Sequence, residues 1–306
     1  MKVRRRAGRG GPARISPWVH LFALPALLLY GLFVLYPVLT TLLNSFFAFR
    51  GMRRGAWIGL DNFVTLFTTA PLNGRVINAV RNNLIMFGGS LIMTFAAFVI
   101  AALLHQLTVG REFFKAAFFL PRLLSLIVVG FLWQLILSPR SGALNGLLAA
   151  FGLPTHAWLG TPNSALASVI AVGAWHSIGF SILVFLAAMQ AIPANLYEAA
   201  RLDGAGPVRI LFSLTLPLTR SAWMILTVLA FIGAFEAFDL VYAMQGVTGA
   251  PYYGTDTLGL LFYRLAFGGE GGTAAVGLGS ALALAMLLVM AAAAVGTLRL
   301  FRPAKD

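Results

Sequence analysis

The chain contains no cysteine, which removes disulfides, thiolate metal ligands and cysteine nucleophiles together. Lysine is nearly missing as well: Lys2, Lys115 and Lys305 are the only three. A phosphate-binding loop needs a glycine-rich turn followed by Lys and then Ser or Thr, and none of the three sits in that setting. ATP is therefore not bound here through such a loop. The four histidines, at 20, 105, 156 and 176, are scattered without metal-ligand spacing, which argues against an intramembrane metalloenzyme. Charge is scarce throughout, at 10% of 306 residues, where a soluble domain carries about a quarter.

What fills the chain instead is apolar. Hydrophobic residues make up 59%, more than one buried core absorbs, so part of the solvent is lipid. Six runs are long enough to cross a bilayer as helices: residues 18–46, 84–104, 116–137, 165–189, 222–244 and 273–298. They are continuous rather than alternating, which favours helices over barrel strands. The expected fold is an all-α membrane protein, a polytopic bundle of six transmembrane helices. The first run is about twice the length of a signal-peptide core and is interrupted by Pro25 and Pro37, so it reads as a retained span. No internal repeat is evident.

The net charge of +13 lies in short clusters beside the apolar runs. That pattern points to membrane orientation and not to nucleic acid. Placing both termini in the cytoplasm puts fifteen of the 22 basic residues on that side, as the positive-inside rule requires. The chain then divides into a basic cytoplasmic N-terminus (1–15), a six-span transmembrane domain (16–298) and a cytoplasmic tail (299–306). The outer segments are too short for independent domains. Within them, residues 57–63 resemble a helix start with Asp61 as N-cap, and 138–162 is rich in Gly, Pro and Asn, with Trp158 placed for the membrane interface.

One polar island interrupts the grease on the cytoplasmic side, within residues 190–220. Pro193 suits a first helical turn because its missing N–H would be unpaired there. Glu198 and Arg201 are spaced to pair at i,i+3. Gly204 suits the left-handed residue that ends a helix, and Gly206-Pro207 forces a turn into a second helix through Leu216. The outcome is helix, tight turn, helix at the membrane surface. Ala199 and Ala200 keep its profile low enough for another protein to approach, and Glu198 offers a docking charge. By itself the pattern equally suits an amphipathic loop helix that seals the bundle.

Glu198-Ala199-Ala200, then Gly204, then Leu214-Thr215-Leu216-Pro217 resembles the coupling-loop signature of binding-protein-dependent ABC importer permeases. Leu214 stands where that family usually has Ile. The flanking segments 190–197, 57–63, 113–121 and 235–242 are similar to the same family and occur in its order, closest to its carbohydrate-uptake group, on the side of the first permease of the maltose and glycerol-phosphate type. Residues 245–251 depart from the Thr-Gly-Gly-Pro that often follows the fifth span. The resemblance implies a bacterial or archaeal plasma membrane protein forming half a pore for a sugar or sugar-like solute. It also implies partners: a second permease subunit, two ATPase subunits and an extracytoplasmic solute-binding protein. No cofactor or catalytic residue is expected in this chain, since ATP and Mg would be held by the ATPase. Glu198, Ala199, Ala200, Gly204, Leu214 and Pro217 would form the ATPase-coupling site.

Polar residues within spans are costly and mark a cavity or a partner. Glu236 and Asp239 fall at i,i+3 on the expected fifth helix, beside the aromatic Phe235, Phe238 and Tyr242. They suggest a solute pocket or, alternatively, an ion-coupled secondary transporter; a hydrated helix end is the plainer reading. Trp175, His176 and Ser177 interrupt the fourth span, where the resemblance implies a translocation path and ordinary chemistry implies an interhelical hydrogen bond. Arg122 either snorkels to the cytoplasmic face or neutralises an anionic part of the solute.

Overall fold

In a computed structural model, residues 17–268 and 274–300 are described. The basic segment 1–15 and nearly all of the tail 299–306 lie outside them. The first span comprises α1 (Pro17–Tyr30) and α2 (Tyr36–Asn44), joined by a π-helical turn at Gly31–Leu35. Its cause is Pro37, which cannot donate to the carbonyl four residues back and clashes with it. The turn widens, and the Tyr36 N–H reaches Gly31 O, five residues back. A hairpin follows, β1 (Phe47–Arg50) with β2 (Arg53–Trp57), turning at Gly51 with φ of 60°. This hairpin, packed through Phe47 edge-on to Trp57, is the one departure from an all-helical chain among the described residues. Asp61 opens α3 (Asp61–Thr68) as its first helical residue, with Leu60 at the cap. Its expected capping bond is therefore absent, and its charge instead faces the positive end of the helix dipole.

The second span is α4 (Leu72–Gln106), 35 residues and so about 52 Å long. It begins twelve residues before the expected run. The added turns carry Arg75, Asn78, Arg81, Asn82 and Asn83, polar enough to be excluded by hydropathy, and Arg75 and the three asparagines find tertiary partners. The third span is broken: α5 (Arg111–Phe119), a 3-10 turn at Leu120–Leu123, then α6 (Leu126–Ile136), with 96° between the halves. The single helix expected over 116–137 fails at Pro121, which removes a ladder donor and cannot continue the α geometry. After α7 (Ala143–Ala150), the fourth span α8 (Pro162–Gln190) is continuous; Thr161 caps it by accepting from the Ser164 N–H. In the preceding segment, Trp158 Nε1 donates to Asn145 Oδ1 at 3.0 Å.

The chain then runs through α9 (Ala194–Leu202), α10 (Pro207–Ile210), a π turn (Leu211–Thr215) and α11 (Leu216–Leu218) into α12 (Arg220–Phe235). Pro217 repeats the device of Pro37, and the Leu216 N–H again reaches five residues back, to Leu211 O. At Thr219 the path bends by 73° into the fifth span. That span ends at Phe235; α13 (Asp239–Gln245) is a separate helix. A loop and α14 (Leu258–Phe267) lead to the last span, α15 (Val276–Leu300). Among the described residues, four continuous helices are long and apolar enough to cross a membrane, and the two bent pairs bring the spans to six where each pair is one span.

One of three buried apolar clusters lies where α4, α8 and α12 meet. Phe98 of α4 packs edge-on to Phe185 of α8 at 5.3 Å, and Trp223 of α12 closes the cluster at 4.9 Å from Phe185. Gly179 of α8 sits against the backbone of the broken span. A Cβ there would lie 2.1 Å from Phe118 O and 2.8 Å from Phe119 Cα, and backbone cannot swing aside as a side chain does. Gly179→Ala is therefore expected to destabilise by about 1–3 kcal/mol, checked by thermal unfolding of the purified protein in detergent. The first span contrasts with this core. Its most apolar stretch, within residues 22–44, contains no buried residue, and α2 packs against α15.

Candidate functional site

Helix α9 ends in a Schellman motif. Gly204 adopts φ of 76°, the Ala205 N–H donates to Ala200 O at 2.9 Å, and the Gly204 N–H donates to Arg201 O at 3.0 Å. These two bonds satisfy carbonyls that a helix end leaves open. Gly206 is extended and Pro207 starts α10, so helix, turn and helix follow as the residues predicted. Pro193 differs slightly: it stands at the N-cap, one position before the first helical residue.

Little of this segment is covered. Glu198, Ala199, Arg201 and Leu202 are exposed, Ala200 is half-buried, and Leu202 and Val208 are 88% and 70% exposed. The expected Glu198–Arg201 pair does not form; the ion pairs among the described residues are Lys115–Glu112 and Arg264–Asp256. An exposed i,i+3 pair gains a few tenths of a kcal/mol at most, too little to order two long side chains. The Glu198 carboxylate is thus presented outward beside an apolar rim. Leu214 is half-buried inside the π turn and Pro217 is exposed at its end. Thr219 is fully buried, and its Oγ1 donates to Thr215 O at 2.9 Å. Through it the segment is continuous with the bend into the fifth span.

The polar residues of the spans are sorted differently from their sequence spacing. Glu236 and Asp239 do not share a helix face: Glu236 follows the last residue of α12, and Asp239 opens α13. The break is held by Asn83, which donates to Ala234 O at 2.7 Å and accepts from the Leu258 N–H at 3.2 Å. Both carboxylates are exposed. Glu236 borders an apolar recess of about 370 Å³ with Pro37, Thr41, Phe262 and Met286. Phe235 is buried and stacks on Phe231 at 4.3 Å, so it is core. Phe238 stacks on Tyr242 at 5.2 Å, and Tyr263 joins them.

Arg122 and His176, 54 positions apart, are brought together. The Arg122 Nη1 is 3.4 Å from His176 Nδ1, and His176 Nε2 is 3.0 Å from Leu124 O. Arginine only donates, so Nδ1 accepts and Nε2 carries the proton that bonds Leu124 O. His176, only 4% exposed, thereby satisfies a carbonyl that the break in the third span leaves free. The interhelical reading of His176 describes its contacts. Ser177 turns its hydroxyl onto its own helix at Gly173 O, 2.7 Å away. Trp175 is partly exposed against Trp133, with centroids 5.5 Å apart.

Sequence reasoning missed a second polar assembly. Asp256 is fully buried and takes two hydrogen bonds from Arg264, at 3.0 and 2.5 Å. Burial pushes the Asp256 carboxyl above its ordinary range, and the Arg264 guanidinium opposes that push. Asn82 donates to Asp256 O at 2.9 Å, and Asn78 to Tyr253 O at 2.7 Å. Tyr252 and Tyr253 both take positive φ, 53° and 59°, a conformation held against its cost by these bonds. The signal available beforehand was Asn78-x-x-x-Asn82-Asn83, amides on one helical face with no local purpose.

Known proteins place this arrangement. The chain is 33% identical over 293 residues to a probable ABC transporter permease protein, YurN, of Bacillus subtilis, covering 94% of this chain and 97% of that one. It is 31% identical to the diacetylchitobiose uptake system permease protein NgcF of Streptomyces coelicolor, covering 91% and 81%. A subunit of a bacterial ABC transporter involved in the import of the acidic polysaccharide alginate superposes with a TM-score of 0.80 at 25% identity, covering 94% and 96%. Residues 67–302 match the binding-protein-dependent transport system inner membrane component family. The chain belongs to that family, as a membrane-embedded permease subunit of an ABC importer.

Proposed function

We propose that this chain forms half of the translocation pore of an ABC importer for a sugar or sugar-like solute: an oligosaccharide, monosaccharide, polyol or glycerol-phosphate. The observation that carries the coupling role is the exposed α9 segment, which ends in the Schellman turn and runs through the buried Thr219 bend into the fifth span. A separate pair of ATPase subunits docks there, holds ATP and Mg, and closes on each cycle. Glu198, Ala199, Ala200 and Gly204 meet the ATPase; Leu214 and Pro217 shape the turn behind them. Both termini face the cytoplasm with the coupling segment. The chain itself catalyses no reaction.

The uncovered first span supports a second permease subunit as the other half of the pore, since a packed neighbour would bury what this chain leaves open. An extracytoplasmic binding protein delivers the solute. The carbohydrate class rests on the relatives' uptake of diacetylchitobiose and alginate, and on the exposed aromatic Trp175 and Tyr242, whose faces suit sugar rings. Arg122, Trp175, His176, Ser177, Glu236 and Asp239 remain candidates along the path. Phe235 is set aside from it as core, by its burial.

The test is reconstitution with the ATPase pair, the second permease and the binding protein. Uptake of labelled solute is expected only with all components and ATP present. Uptake by this chain alone, abolished by an uncoupler, would instead establish an ion-coupled carrier built on Glu236 and Asp239.

A further inference from the structure

The coupling helix α9 is attached to the rest of the chain at two points. One is the stretch at Ala191–Pro193, where Pro193 is extended. The other is the turn with Gly204 and Gly206, where an added Cβ would meet nothing. Through the backbone, α9 reaches α8 by the first and the fifth span by the second. A side-chain contact gives it a further route into the bundle, and Tyr197 makes one.

Tyr197 is half-buried, as is Ala200, on a helix whose other side chains are exposed. Its ring faces that of His105, at the cytoplasmic end of α4, with centroids 5.9 Å apart and planes at 40°. Its hydroxyl is 3.5 Å from Thr215 Oγ1. Thr215 is 4% exposed, and its own hydroxyl donates to Ile210 O at 3.3 Å. The tyrosine is then the donor of the pair. Thr215 O in turn accepts from Thr219 at the 73° bend. One side chain therefore touches both the end of the longest span, which packs along α8, and the hinge that aims the fifth span.

Resting on the coupling role proposed above, we infer that Tyr197 is a positioning residue that carries the movement of α9 into α4 through His105 and into the Thr215–Thr219 bend. The glycine turn lets α9 tilt as a unit while Tyr197 drives the two spans together. The ring contact bears the load, and the hydroxyl sets the direction by engaging Thr215.

The experiment uses the full transporter in nanodiscs with its ATPase, second permease and binding protein, carrying Tyr197→Ala, Tyr197→Phe, His105→Ala or the Tyr197→Ala/His105→Ala pair. Three quantities are read: ATPase retained on purification, basal hydrolysis, and stimulation of hydrolysis and uptake by solute-loaded binding protein. Tyr197→Ala is expected to keep its ATPase and basal hydrolysis and to lose stimulation and uptake about tenfold, the size of a typical coupling between sites. Tyr197→Phe restores most of both, and the double variant is no worse than Tyr197→Ala alone. Normal stimulation in Tyr197→Ala, loss of the bound ATPase, or additive losses in the double variant would each overturn the inference. A Gly204→Val control separates the two levels. If it is uncoupled while Tyr197→Ala works normally, only the role of Tyr197 falls; if it too works normally, the docking segment itself has been misassigned.

Discussion

A valine at position 204 is expected to abolish solute-driven uptake while the protein still inserts, folds and purifies. The reason is local. Gly204 holds φ of 76°, a region that costs an L-residue about 1–2 kcal/mol and a β-branched one more. An added Cβ meets no neighbouring atom within 4 Å, so the penalty is conformational and not steric, and nothing in the core is disturbed. The chain escapes it by unwinding the Schellman turn, which releases the two carbonyl bonds at Ala200 and Arg201 and re-aims α9. Asn, which tolerates the left-handed region, should keep most of the uptake. Glu198→Lys should uncouple by another route, reversing the charge of an exposed carboxylate without touching the turn. Uptake at the parental rate in both Gly204→Val and Glu198→Lys would remove the segment from the coupling pathway.

Cutting the Asp256–Arg264 pair should give the largest loss of stability. Both partners are buried, and truncating one strands the other in a low-dielectric setting, at a cost of about 3–5 kcal/mol. Arg264→Ala also removes the cation that opposes the effect of burial on Asp256, so the carboxyl is expected to escape by binding a proton. Asp256→Ala has no such escape for the guanidinium and should be the harsher change, since arginine stays charged. Arg264 also donates to Val247 O at 2.7 Å, so either variant loosens the loop that holds Tyr252 and Tyr253 at positive φ. Thermal unfolding in detergent and protease sensitivity between residues 246 and 257 measure this. A joint Asp256→Leu/Arg264→Met replacement should recover part of the loss, because the charge left alone is what costs most.

The helical spans were readable because lipid imposes one solution on an apolar run: every backbone group bonded within its own helix. The helix–turn–helix around Gly204 was readable for a related reason. Pro193, Gly204, Gly206 and Pro207 act on their own backbone within a turn or so, and a local constraint can be read locally. Pro121 carried the same kind of signal for the break in the third span, but the surrounding apolar residues masked it.

What the sequence determined by itself, then, is the apolar class, the helical character of the spans, the helix–turn–helix and the lack of an ATP site of the phosphate-loop kind. Only tertiary structure decided which polar residues meet. Glu236 and Asp239 look like partners at i,i+3, yet the helix between them ends because Asn83, some 150 positions earlier, takes up Ala234 O. Arg122 and His176 carry no sequence sign of each other and end 3.4 Å apart. Asp256 with Arg264 and the amides of α4 are satisfied the same way. A buried polar group must find a partner or pay a desolvation penalty of several kcal/mol, and where that partner lies is set by how the spans pack, which the order of residues along one span does not contain.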